Sequence, residues 1–131
     1  MQEAITYDDV LLLPQYSNIR SRSEIDISAS LPKRLNLSLP IISSPMDTIT
    51  EEYMVGAMHD AGGTGVIHRY NSIEQQAAIV NRAFVKGATN IGVAIGISGD
   101  FVDRAEACLE QGAKFLCVDV AHGHHVLMKE A

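Results

Sequence analysis

The chain has 131 residues, with sixteen acidic against ten basic side chains and a formal charge of −6. That length holds one domain with a modest core, and the acidic balance leaves no extended cationic surface for a phosphate backbone, so nucleic acid is not expected as a partner. Apolar runs are broken within about ten residues, and Met1-Gln2-Glu3 lacks the basic flank of a leader. These features argue against a membrane span or secretion and for a cytoplasmic protein.

Residues 1–39 read as a lead-in of short apolar runs and turn formers. Asp9-Val10-Leu11-Leu12-Leu13-Pro14 is expected to be a short buried run closed by proline. Ser21-Arg22-Ser23-Glu24 has capping-box spacing but suits a turn better, because Glu24-Ile25-Asp26-Ile27-Ser28 then alternates as a half-buried strand does.

From residue 40 onward, strand and helix alternate with a spacing of about 25 residues, the length of one βα unit. The first strand is expected over 39–43. Thr50 then caps a helix with Glu51 and Glu52 in its first turn and Tyr53, Met54, Ala57 and Met58 inward. After Ala61-Gly62-Gly63 comes a strand over 65–68. Ser72 caps the next helix, with Ile73, Ala77, Ile79, Val80 and Phe84 inward and Gly87 as its stop. A third strand over 91–95 leads through Gly99 and Asp100 to a helix with Phe101, Val102, Ala105, Cys108 and Leu109 inward, ended by Gly112. The fourth strand is expected over 115–120, with a further helix beginning at His124.

This rhythm predicts an α/β fold with parallel strands and right-handed crossovers. Four units over residues 40–131 amount to the first half of a (β/α)8 TIM-barrel type domain. A Rossmann arrangement lacks its GxGxxG signature, since the first strand ends in Ser-Ser-Pro-Met-Asp. Gly62-Gly63-Thr64-Gly65 precedes a strand instead of opening a helix, so it reads as a tight turn and not a phosphate loop.

Barrel ligands meet the C-terminal ends of strands, which directs attention to 43–48, 68–71, 96–100 and 119–125. The hydroxyls and amides of the first loop could hold a polar ligand, or simply close the strand as a Ser/Pro turn. Asp119, an acid ending an apolar strand, needs backbone donors or a ligand. His122, His124 and His125 are close in sequence, but no helix aligns them and no Glu stands at HExxH spacing, so no metal site is expected. Cys108 and Cys117 have no CxxC spacing and no local base, and read as buried thiols and not nucleophiles.

Four ordered motifs run nearly the whole length: Thr6-Tyr7-Asp8-Asp9-Val10-Leu11-Leu12, SSPMDTITE at 43–51, GGTGVIHRYNSIEQQ at 62–76 and VDVAHGH at 118–124. Together they resemble the IMP dehydrogenase/GMP reductase family. The resemblance implies a TIM barrel that binds a purine nucleotide, IMP or GMP, and NAD or NADP, in a cytosolic homotetramer. It assigns Ser44 and Met46 to the nucleotide, and His68, Asp119 and Ala121 to the cofactor. The regulatory insert that many dehydrogenases carry after the second helix is absent between Asn81 and Gly87, which, with Ser21-Arg22-Ser23-Glu24-Ile25-Asp26, leans towards GMP reductase. No counterpart of the family's nucleophilic cysteine loop occurs in these residues, nor of its later phosphate loops, flap or monovalent cation site. The expectation is therefore a fragment that is inactive alone and that self-associates or pairs with the other barrel half. The alternative is a non-catalytic module that binds purine nucleotide or docks on a full-length relative.

Overall fold

The computed structural model describes residues 3–31 and 35–131. Its centre is a four-stranded parallel sheet of β3 (Ile42–Ser43), β4 (Thr64–Ile67), β5 (Ile91–Ile95) and β6 (Phe115–Val118), whose spatial order is the order of the chain. Three helices make the crossovers: α1 (Glu52–Asp60), α2 (Ile73–Val85) and α3 (Phe101–Glu110). A short α4 (Val126–Glu130) follows β6. Ahead of the sheet, β1 (Ala29–Leu31) pairs antiparallel with β2 (Leu35–Leu37), with Ala29 opposite Leu37. This hairpin lies at the N-terminal ends of the parallel strands, where Leu39 N–H donates to the Gly62 carbonyl at 3.0 Å. The α/β class and the order of all four parallel strands therefore follow the sequence expectation, although β3 begins only at Ile42 and β4 lies one residue earlier than expected, which leaves His68 just beyond it.

Local chemistry explains where the helices begin and end. Ser72 and Gln75 form a reciprocal capping box at the start of α2, each side chain accepting from the other residue's backbone N–H. At its end the Ala88 N–H reaches the Ala83 carbonyl, a closure that α3 repeats with Ala113 and Cys108. Such closures require a left-handed residue, and Gly87 and Gly112 supply it with φ of 103° and 110°.

Val55 of α1, Ile79, Val80 and Ala83 of α2, and Cys108 of α3 pack on Ile67, Ile91 and Val93 of the sheet to form the core. Several expected faces are shifted. In α1 the buried positions are Glu52 and Val55, whereas Tyr53, Met54 and Ala57 are exposed and Met58 is half-buried. Glu52 turns inward because Arg82 of α2 meets it as a fork, Nε to Oε1 at 2.9 Å and Nη2 to Oε2 at 3.2 Å. Tyr53 instead lies under Lys86, whose Nζ is 4.0 Å from the ring centroid. In α3, Arg104 is buried while Val102 and Leu109 are exposed. Ile73 and Phe84 of α2 are respectively half-buried and exposed, and the Phe84 ring lies against Gly112. Thr50 does not cap α1. Its buried hydroxyl donates to the Ser44 carbonyl at 2.5 Å, and Glu51 occupies the cap position.

The lead-in departs most from expectation. Leu11, Leu12 and Leu13 are 94%, 99% and 80% exposed, so this is not a buried run. It follows a 3₁₀ turn over Tyr7–Asp9 that is held by Thr6 N–H on the Asp9 carboxylate, and among the described residues no element covers it. The expected strand over 24–28 is also absent. Arg22–Glu24 is a 3₁₀ turn capped by Ser21, as the turn reading required, and the Asp26 carboxylate takes the Ser28 N–H that a ladder would need. Pairing starts only at Ala29. At the other end β6 stops at Val118, two residues short of the expected strand, and α4 is shorter than the expected helix.

Because Arg82 holds the Glu52 carboxyl below the usual glutamate range, this pair stabilises the fold above that range and the contribution is lost as pH falls through the depressed value. Glu52→Gln should therefore lower stability at neutral pH by about 1 kcal/mol, discounted for the half-exposed arginine, and flatten the acid side of a pH series of thermal unfolding midpoints. An unchanged acid limb would remove the pair from the account.

Candidate functional site

The C-terminal ends of the parallel strands gather four loops on one edge. The first, after β3, is a compact turn in which the Ser44 carbonyl accepts from the Met46 N–H at 2.9 Å and the Met46 carbonyl accepts from the Thr50 N–H at 3.0 Å. These bonds leave the Ser44 side chain and the half-exposed Met46 side chain facing outward from the turn. Ser43, at the end of β3, carries a buried hydroxyl with no partner among the described residues.

His68 follows β4 directly and is 3% exposed. Its Nδ1 accepts the Tyr70 N–H at 3.2 Å, which leaves the proton on Nε2, and that nitrogen faces Glu51 Oε1 at 3.2 Å. One tautomer is thereby selected, and the second loop is tied to the start of α1. A cleft of about 450 Å³ opens beside this pair, lined by Asp47, Glu51, His68, Tyr70, Asn71 and Arg82. A larger hollow of about 540 Å³ lies at the opposite end, between the β1–β2 hairpin and the starts of β4 and β5. The smaller one begins at the C-terminal strand ends, where α/β sheets bind ligands, with Asp47, His68, Tyr70 and Asn71, and continues along α2 past Gln75, Ala78, Ile79 and Arg82.

Arg69 spans the edge from β4 towards β6. Its Nη2 donates to the Asp119 carbonyl at 3.1 Å, and it passes over Gly96, where a Cβ would lie 3.5 Å from Nη1. The Asp119 N–H donates to the Ile95 carbonyl at 2.9 Å, so this residue is fixed through its backbone. Among the described residues its carboxylate accepts no hydrogen bond, which is not the backbone-amide arrangement that its strand-end position also allowed. Ala121 is exposed in the following loop. His122 stands edge-on to His124 and His125, with ring centroids 6.5 and 6.4 Å apart, and among the described residues no group of three or more His, Cys, Asp or Glu is placed to hold a metal ion.

Neither thiol is activated. Burial pushes Cys108 up to about 11, and burial followed by the charge of Asp119 raises Cys117. The Arg104 guanidinium beside Asp100 holds that carboxyl below the usual range.

Sequence reasoning places His68, Arg69 and Asp119 on this edge but gives Arg69 no role and passes over Gln76, Arg104 and Glu51. The available signal was a polar residue on an apolar helical face. Gln76 precedes Val80 by four residues on the buried side of α2, and Arg104 precedes Cys108 by four on α3. Among the described residues, three buried side-chain atoms lack a partner, Ser43 Oγ, Arg69 Nε and Asn71 Nδ2, and all lie at the same sheet edge, where a ligand would satisfy them.

Among the described residues no helix is long and apolar enough to cross a membrane. Residues 4–131 match the IMP dehydrogenase / GMP reductase domain. The inosine-5′-monophosphate dehydrogenase of Nitrosopumilus maritimus is 42% identical over 99 residues, which cover 76% of this chain and 21% of that protein. The enzyme of the same name from Bacillus subtilis is 48% identical over 81 residues, 62% of this chain and 16% of the relative. A GMP reductase of Leishmania donovani is 44% identical over 82 residues, 63% of this chain and 17% of the relative. The chain thus spans about a fifth of the length of these relatives. With the match running through nearly every described element, the chain belongs to the IMP dehydrogenase/GMP reductase family.

Proposed function

We propose that this chain carries one half of the ligand-binding edge of a purine nucleotide oxidoreductase, with residues 1–39 as lead-in and 40–131 as the first four units of a (β/α)8 barrel. The reaction of the whole enzyme is NAD-dependent oxidation of IMP to XMP or NADPH-dependent conversion of GMP to IMP. The observation that carries this reading is the set of buried atoms without a partner among the described residues, Ser43 Oγ, Arg69 Nε and Asn71 Nδ2, at the C-terminal ends of the strands, where barrels bind their ligands.

In this reading Ser44 and Met46 face the nucleotide, the hydroxyl offering a polar contact and the thioether packing on the base. Asp119, whose carboxylate has no donor among the described residues, accepts hydrogen bonds from sugar hydroxyls of the cofactor, with Ala121 leaving room beside it. His68, held as the Nε2–H tautomer between Tyr70 and Glu51, fixes the wall of the cofactor side. Bound nicotinamide supplies the hydride chemistry. Neither thiol here can serve as nucleophile, since both are raised by burial, so the 131 residues alone turn over neither substrate.

The outer strands β3 and β6 expose Ile42 and Leu116, and an open strand edge favours pairing with a second copy or with the complementary barrel half. The protein would work in the cytoplasm. The test is a calorimetric titration of the chain with IMP and GMP, with NAD(P)H absorbance followed on the same sample. Micromolar binding without turnover is expected; turnover by the chain alone would overturn the division of labour, and no binding would overturn the nucleotide role of the first loop.

A further inference from the structure

Arg104 and Gln76 carry a buried polar chain that the roles described above leave unused. Gln76 is fully buried, and its Nε2 donates to two carbonyls on neighbouring strands, Ile67 at 3.3 Å and Ala94 at 3.0 Å. Both of its N–H bonds are thereby committed at the C-terminal ends of β4 and β5, so Oε1 must face the other way. There it accepts from Arg104 Nη1 at 3.0 Å. The guanidinium, 6% exposed, extends the chain in two directions: Nη2 donates to the Asn71 carbonyl at 3.1 Å and to Asp100 Oδ2 at 2.8 Å.

A single side chain thus touches the loop after β4, the loop before α3 and, through Gln76, the two strand ends between them. Its planar fork suits this arrangement, because the two terminal nitrogens present donors in fixed directions towards three different acceptors. An ammonium at the same place offers one nitrogen and cannot span them.

We infer that Arg104 is a positioning residue that clamps the loop after β4 to the loop before α3, through Gln76, Asn71 and Asp100, and so holds the ligand-binding edge in one arrangement before any ligand arrives. The inference rests on the functional reading for which edge binds ligand, but the clamp itself is tested without ligand. Amide hydrogen exchange read residue by residue on the unliganded chain is the experiment. Arg104→Met is expected to raise exchange at Tyr70, Gln76 and position 104 by about tenfold or more, while the interior amides of β5 keep their rates. Arg104→Lys is expected to recover protection at position 104, next to Asp100, but not at Tyr70.

Uniform acceleration that includes β5 would make Arg104 a packing residue and overturn the inference, as would unchanged rates. Should Arg104→Met fail to fold, Asp100→Asn weakens only the half-exposed arm. Faster exchange confined to the start of α3 then supports the clamp, and no local change sinks it. A chain that binds neither IMP nor GMP would overturn the functional reading, whereas the exchange pattern would still decide the role of Arg104.

Discussion

Ile67→Ala should cost the fold about 3–4 kcal/mol, read as a lower denaturant midpoint at unchanged slope. Ile67 is fully buried in β4 and joins the cluster of Val55, Val80, Ile91 and Val93, so the removed methyl groups leave a hole lined by α1, α2 and β5. Domains of this kind hold roughly 5–15 kcal/mol in total, so the loss is a large fraction of what exists. Leu12→Ala is the matching control. Leu12 is 99% exposed, and its truncation should shift stability by no more than about 0.5 kcal/mol. Similar losses at the two positions would mean that the lead-in packs on the domain and that the core has been drawn in the wrong place.

The second large effect concerns a ring that occupies the space of a missing side chain. Gly92 is the second residue of β5, and a Cβ there would lie 2.4 Å from Phe115 Cζ and 2.6 Å from Cε2. Gly92→Ala should therefore push the ring away from the β5–β6 seam and cost about 1–3 kcal/mol. Phe115→Ala alone should cost about 2 kcal/mol, less than for a fully buried ring. The double variant should cost less than the two added together, by about 1 kcal/mol, because the shortened side chain makes room for the new methyl group. Strict additivity in a double-mutant cycle would show that the ring moves aside freely and that glycine is not required at this position.

The parts that were legible in sequence are those that local chemistry decides. Ser72 followed by Gln75 announces α2, glycines close α2 and α3, and the apolar run over 91–95 is β5 to the residue. His68 and Asp119 could be placed on the ligand edge because a strand end is visible from its neighbours. What escaped depends on partners far along the chain. Glu52 looks like a solvent-facing first-turn acid until Arg82 comes to meet it from the next helix, and only that fork makes its burial tolerable. Arg104 looks like an exposed cation until Gln76 and Asn71 are brought beside it. The three leucines after Asp9 mislead in the opposite sense, since their hydrophobicity suggests burial where the described chain offers nothing to bury them against.

The order of strands in the sheet has a bearing on how the chain comes to be folded at all. Each parallel strand after β3 pairs with the one made just before it, Thr64 with Ile42, Ile91 with Gly65 and Phe115 with Gly92, so every closure spans about two dozen residues and none is much longer than the last. As the polypeptide leaves the ribosome, each new βα unit finds its template already standing, and the growing edge is always the newest strand. Within β3 to β6, assembly can then advance like courses of brick, each strand after β3 meeting a partner already made.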